Sequence, residues 1–112
     1  MKVKKLYVIG KVTGVEADNR PEFERVRARL AEALGCEVEI PHDTIRPGTG
    51  WAEAMRQSIA RMATADGVAM LEDWTESPGA MLEFEIASAM AVRGLLEVRL
   101  WWQWIGTEAE AA

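Results

Sequence analysis

Cysteine and histidine each occur once in this sequence, as Cys36 and His42, and that scarcity excludes a good deal. A lone cysteine forms no internal disulfide. With no paired cysteines and no charged-then-apolar leader, the chain is expected in the cytoplasm. One histidine and one cysteine are too few for an ordinary zinc site, so neither a metal nor a cofactor is expected. No apolar run approaches the roughly 20 residues that cross a bilayer, so no membrane partner is expected either. Cations are outnumbered, 13 Lys and Arg against 18 Asp and Glu, for a net charge of −5. Nucleic-acid binding needs clustered cations to neutralise phosphates, which argues against that partner. A single mononucleotide is still compatible, because one phosphate needs only a few backbone N–H groups or one cation. Internal repeats and linkers are missing as well.

What is present describes one globular domain. Hydrophobic residues make up 49% and charged residues 28% of 112, enough for a modest core. The domain is expected over residues 1–105, with 106–112 a frayed tail. Five tryptophans are many for this length. They imply a crowded core or an aromatic surface that meets a partner. Trp101, Trp102 and Trp104 alternate across the end of the chain, so at least one faces outward, pointing to a homodimer or higher homo-oligomer.

Strand and helix signals alternate. Leu6–Ile9 is a short apolar run entering a turn at Gly10, as in a buried parallel strand. Asp18 or Asn19 is placed to cap the next helix, with Pro21 in its first turn and Glu22 completing a capping box with Asn19. Phe23, Val26, Leu30 and Leu34 recur at helical spacing until Gly35. Val38–Ile40 forms a second strand ended by Pro41, and 42–50 is a loop with Pro47, Gly48 and Gly50. Trp51, Met55, Ile59 and Met62 give the second helix its apolar stripe. Gly67–Leu71 is the third strand. Ser77, Pro78 and Gly79 open a third helix with Leu82, Ile86 and Ala89 or Met90 turned inward. Gly94 ends that helix, and Leu96–Trp101 is the fourth strand. The order β-α-β-α-β-α-β gives an α/β fold: a small doubly wound, Rossmann- or flavodoxin-like parallel sheet of four to five strands with helices on both faces. Ligands of such sheets bind at the carboxyl ends of the strands, beside the topological switch point. The loops at 10–14, 42–50 and 72–79 all leave those ends.

Several residues there carry candidate chemistry. Glu83 lies about one turn into the third helix, whose start at Ser77 and Gly79 is small and tightly turned. Unpaired N–H groups and the positive helix end favour an ionised carboxylate nearby. Such a group acts as a nucleophile or accepts a hydrogen bond from a sugar hydroxyl; the alternative is a solvated glutamate on the helix face, as Glu85 would be. Gly79 leaves room for a ligand to approach the backbone. The first loop, Gly10-Lys11-Val12-Thr13-Gly14, offers two glycines and a cation to a phosphate or ribose, although it is not the G-x-G-x-x-G fingerprint. His42 either lines the cleft or simply occupies its loop, and a Cys36–His42 catalytic pair is disfavoured because Cys36 precedes a buried strand. Trp51 and Trp74 border the same side, where they either stack on a base or cap the core.

These residues together resemble a known family. Tyr7 with Gly10 and Gly14, Asn19 with Phe23, Pro41, Trp51, Met55-Arg56, Asp66 and Trp74 fit the DUF4406 proteins, which are similar to nucleoside 2-deoxyribosyltransferases and deoxynucleoside 5′-monophosphate N-hydrolases. Ser77, Gly79-Ala80, Glu83 and Ala87 form the most specific part, a G-[TA]-x-x-E-x-x-x-A segment. The resemblance runs over roughly residues 6–100. It implies that Glu83 attacks C1′ of a 2′-deoxyribosyl group and that Tyr7 orients Glu83. It also implies that Ser77 and Gly79 hold the sugar-phosphate end. The nucleoside or nucleotide site then comprises Gly10, Lys11, Thr13, Gly14, Asn19, Trp51, Ser58, Trp74, Ser77 and Gly79 around Glu83 and Tyr7.

Two positions depart from that pattern. Relatives usually carry an aspartate eight residues before the position of Asp66, where it handles the departing base; here that residue is Ser58. A serine supplies no carboxylate, removing general-acid help worth roughly 10²–10⁴ in rate. Lys11 replaces a proline of the first loop and favours a nucleotide over a nucleoside. Three functions follow as expectations, the first two being N-glycosidic bond hydrolysis or transfer and a binding protein that sequesters a nucleotide in the same cleft. An interaction protein using its Trp surface is the third.

Overall fold

The structure, a computed structural model, describes residues 3–90 and 94–97. Within them the chain forms β1 (Lys5–Ile9), α1 (Arg20–Leu34), β2 (Glu37–Glu39), α2 (Trp51–Met62), β3 (Gly67–Met70), α3 (Pro78–Ala89) and β4 (Gly94–Glu97). The strands make one parallel sheet in the order β2-β1-β3-β4. The chain leaves β1 toward β2 and then returns past β1 to β3, so the switch point lies between β1 and β3. This is the doubly wound α/β arrangement expected from the alternating pattern.

Side-chain alternation along the strands divides the core in two. Leu6, Val8, Val38, Ile40, Ala69 and Leu71 pack on Phe23, Val26 and Leu30 of α1. On the other face Tyr7, Ile9, Val68 and Met70 meet Met62 of α2 and Ala87, Phe84 and Ile86 of α3. Helices therefore cover both faces, and Tyr7 belongs to the layer under α2 and α3.

Some expectations change in detail. Asn19 makes no capping box: Ala17, Asp18 and Asn19 all have left-handed φ of 53–58°, and Asn19 caps no α1 amide. Its side-chain amide instead donates to the Lys11 carbonyl at 2.9 Å, tying the first loop to the start of α1. Gly35 does end α1, with a left-handed φ of 62° and its N–H on the Ala31 carbonyl at 2.9 Å. On α2, Met62 is buried and Met55 and Ile59 are half-buried, but Trp51 at the first turn is 56% exposed.

The inward face of α3 differs most. Gly79, Ala80, Glu83 and Ala87 are buried, while Leu82, Ala89 and Met90 are exposed and Ile86 is intermediate. The helix carries apolar residues on nearly every side, so hydropathy selects no face. Size selects it instead: a Cβ on Gly79 would sit 3.1 Å from the Met55 Sδ, so α2 crosses α3 where α3 is smallest. Gly94 does not end α3 but opens β4, paired with Gly67. The three C-terminal tryptophans, the continuation of β4 toward Trp101 and the 106–112 tail lie outside the described residues.

Gly10 ends β1 for a packing reason. A Cβ there would stand 2.6–2.8 Å from the Leu71 side chain, at the top of β3. Gly10→Ala should therefore cost about 1–3 kcal/mol in urea denaturation. Gly10→Ala combined with Leu71→Ala should cost less than the two single changes added, because removing Leu71 opens the space the new methyl needs.

Candidate active site

On the face of the sheet covered by α2 and α3, three side chains from three elements converge. Tyr7 stands on β1, Ser58 on α2 and Glu83 on α3, with relative exposures of 0%, 4% and 5%. The Ser58 hydroxyl donates to Glu83 Oε2 at 2.5 Å. Its oxygen lies 2.8 Å from the Tyr7 hydroxyl. Ser58 has one proton and gives it to Glu83, so the proton between Ser58 and Tyr7 comes from Tyr7. The chain of donors runs Tyr7 to Ser58 to Glu83.

Glu83 Oε2 is thereby engaged, and Oε1 has no partner among the described residues. Burial raises the Glu83 carboxyl to about 7, against a smaller lowering by the Ser58 bond. Burial also raises the Tyr7 phenol, with smaller contributions from the Glu83 and Glu39 charges, so Tyr7 stays a proton donor.

Ser58 and Glu83 lie on the wall of an open cavity of about 370 Å³. Gly10, Thr13, Trp51, Ser58, Ser77, Gly79 and Glu83 line it. The other candidates serve from behind or elsewhere. Tyr7 lies under Ser58. Lys11 pairs with Glu76 at 3.9 Å and gives its backbone N–H to Asp73, linking the first loop to the segment after β3. Gly14 makes a left-handed turn at φ 83°. Asn19 holds Lys11, as above, and Trp74 packs on Phe84 with ring centroids 4.7 Å apart.

At the start of α3, Ser77 is the N-cap and its hydroxyl oxygen accepts the Ala80 N–H at 3.1 Å. The Met81 N–H goes to the Ser77 carbonyl. Pro78 has no N–H, so the Gly79 amide and the Ser77 hydroxyl proton are the donors left for an anion. Gly79 itself is a packing glycine against Met55 as well as a cavity residue.

Arg20 and Arg46 also border the cavity and are absent from the sequence reading. Each follows a strand, β1 and β2 respectively, which is the signal that was available. Arg20 Nε meets Glu24 at 3.4 Å. His42 lines the cavity wall too. Its Nε2 donates to the Asp18 carbonyl at 2.7 Å and its ring lies 4.8 Å from Phe23. Its Nδ1 is buried and has no hydrogen-bond partner among the described residues. Among the described residues no three metal-ligating side chains gather.

Residues 4–94 match the family described as Domain of unknown function (DUF4406). The chain belongs to that family. Among solved structures it is similar to the 2-desoxiribosyltransferase from Leishmania mexicana, with a TM-score of 0.65 over 84% of this chain and 21% identity. It spans 63% of the length of that protein. The likeness places the DUF4406 chain in the nucleoside 2-deoxyribosyltransferase-like fold. None of the curated proteins matches it.

A carboxyl that holds its proton to about pH 7 when folded and to about 4.5 when unfolded stabilises the fold below pH 4.5. That contribution is lost as pH rises through 7, because the native state then carries a buried charge. Glu83→Gln should therefore be more stable than wild type at pH 8, by about 3 kcal/mol at most. The difference should vanish below pH 4.5, as chemical denaturation at both pH values would show.

Proposed function

We propose that this DUF4406 chain cleaves, or transfers, the N-glycosidic bond of a deoxynucleoside monophosphate with Glu83 as nucleophile. The observation that carries the reading is the buried Glu83 carboxyl, held on one oxygen by Ser58 and lining a cavity of about 370 Å³. Oε1 attacks C1′, the C1′–N bond breaks, and its electron pair leaves with the base, which takes a proton from water. A second water then attacks C1′, loses its proton, and the Glu83 carboxylate departs. The two displacements retain configuration, as in retaining glycosidases. Arg20 and Arg46 support a nucleotide over a nucleoside, since both are fixed cations on the cavity wall. Ser77 and the Gly79 amide are donors for a sugar-phosphate oxygen. The likeness to a 2-desoxiribosyltransferase supports the reaction class.

The reading includes a cytoplasmic homodimer or higher assembly, supported by the apolar surface that Met81, Leu82 and Met90 expose on and just after α3. Ser58 favours one rival, a binder that retains the cleft without turnover, because no carboxylate stands beside Glu83 to protonate the leaving base.

Free base released from a panel of deoxynucleoside monophosphates tests the reading. Release should rise with pH and level off above about 7, when Glu83 is ionised. Glu83→Ala should reduce it to background. Thermal stabilisation by nucleotide without base release would mean a binder, and neither effect would remove the nucleotide reading. Arg46→Ala should raise KM for the monophosphate roughly tenfold or more and leave that for the unphosphorylated nucleoside nearly unchanged, as the loss of one charge-assisted hydrogen bond implies.

A further inference from the structure

One polar cluster on the face of Glu83 takes no part in the chemistry above. Glu39, on the short edge strand β2, is 7% exposed, and its carboxylate receives two parallel bonds from Arg61 of α2, at 2.8 and 2.6 Å. Lys5 approaches the same carboxylate at 3.2 Å and gives a hydrogen bond to Thr64 at 2.6 Å. Arg61 holds the Glu39 carboxyl below the usual range, with Lys5 assisting.

The placement of this pair is informative. Tyr7 and Glu39 are register partners across β1 and β2, so they point to the same face of the sheet. Ser58 and Arg61 are three apart on α2 and so lie on one side of that helix. Helix α2 thus meets a register pair of the sheet with two polar contacts one turn apart, Ser58 on Tyr7 and Arg61 on Glu39. The second is bidentate, which fixes direction as well as distance. Apolar contacts such as those of Met55, Ile59 and Met62 are non-directional, so they fix the distance of α2 from its neighbours more firmly than its position along the sheet. A slide of about 1 Å along the bond direction would stretch the 2.5 Å Ser58–Glu83 bond past the usual O–H···O range.

We infer that Arg61 and Glu39 are positioning residues: their ion pair sets the register of α2 on the sheet and so holds the Ser58 hydroxyl between Tyr7 and Glu83. Which Glu83 oxygen faces the cavity, and how readily that carboxyl ionises, then depend on a salt bridge outside the cavity. The inference deepens the proposed function, but its test needs no substrate.

The test is the titration of the Glu83 carboxyl followed by ¹³C NMR in wild type, Ser58→Ala, Glu39→Gln, Arg61→Gln and the double Glu39→Gln/Arg61→Gln variant. Losing the Ser58 bond removes a stabiliser of the ionised form, so Ser58→Ala should raise the midpoint by roughly half to one pH unit, the equivalent of one net hydrogen bond. Glu39→Gln and Arg61→Gln should both raise it as well. Neither should add to the effect of Ser58→Ala when combined with it. A purely electrostatic influence predicts opposite signs, since one variant removes a negative charge and the other a positive one. Opposite shifts, or a titration unmoved by both while the melting temperature falls, would overturn the inference. The double variant leaves no unpaired member of the pair, so it covers the case in which a single variant does not fold. Absence of base release with the shifts intact would sink the glycosidase reading and leave the positioning role standing.

Discussion

A carboxylate taken out of water is the constraint on which this small domain turns. Glu83 is 5% exposed, and desolvation is the larger influence on its ionisation. The single direct hydrogen bond from Ser58 only partly offsets that penalty. The surroundings follow from the need to place that bond. Ser58 must lie on a helix that crosses α3 closely, which requires Gly79 and Ala80 where the helices meet. Behind it must stand a donor that keeps its own proton, and Tyr7, the largest fully buried side chain, fills that place. The central strand therefore carries a phenol where an apolar residue would pack as well.

The architecture was legible because it rests on coarse signals. Alternating apolar runs and helical stripes, punctuated by Gly35, Pro41 and Ser77-Pro78, determine the β-α order, and right-handed crossovers then leave few arrangements of the sheet. The site was legible through Glu83, which sits at a helix start on the ligand side of such a sheet. What sequence reasoning missed is explained by two kinds of physics. The buried face of α3 is chosen by side-chain size at a helix crossing, which a hydropathy pattern does not record. Roles that depend on contacts between distant segments were also hidden. Asn19 reads locally as a cap and in space as a tie to Lys11. Lys11 reads as a free cation and is in fact turned toward Glu76. The cationic groups that do border the cavity, Arg20 and Arg46, are not themselves motif residues; Arg20 sits within a helix-start signal and Arg46 in a loop.

The glycines show the same division. Gly10 and Gly79 both belong to the pattern that suggests a ligand approaching bare backbone. At each of them the space of the missing Cβ is claimed by the protein itself, by Leu71 and by Met55. These contacts bring β1 against the top of β3 and α2 against α3, and the cavity lies between the elements so joined. The glycines thus shape the cleft by close packing, and the ligand surface they offer is a by-product.

Serine at position 58 changes the kind of site this is. A carboxylate in its place would face Glu83 across a hydrogen-bond distance, and two such groups share a proton, so that one of them stays neutral at pH 7 and serves as an acid. A hydroxyl brings no second charge. It donates to the ionised Glu83 carboxylate, with the Tyr7 phenol behind it as a group that does not itself ionise. When Glu83 is protonated, the hydroxyl can accept as well as donate, so the same contact persists with donor and acceptor exchanged. The site therefore accommodates both protonation states of Glu83, whose carboxyl changes charge near pH 7. On the proposed function, a site built this way would favour ligands whose bond to the base breaks with little proton assistance, and would only bind other nucleotides.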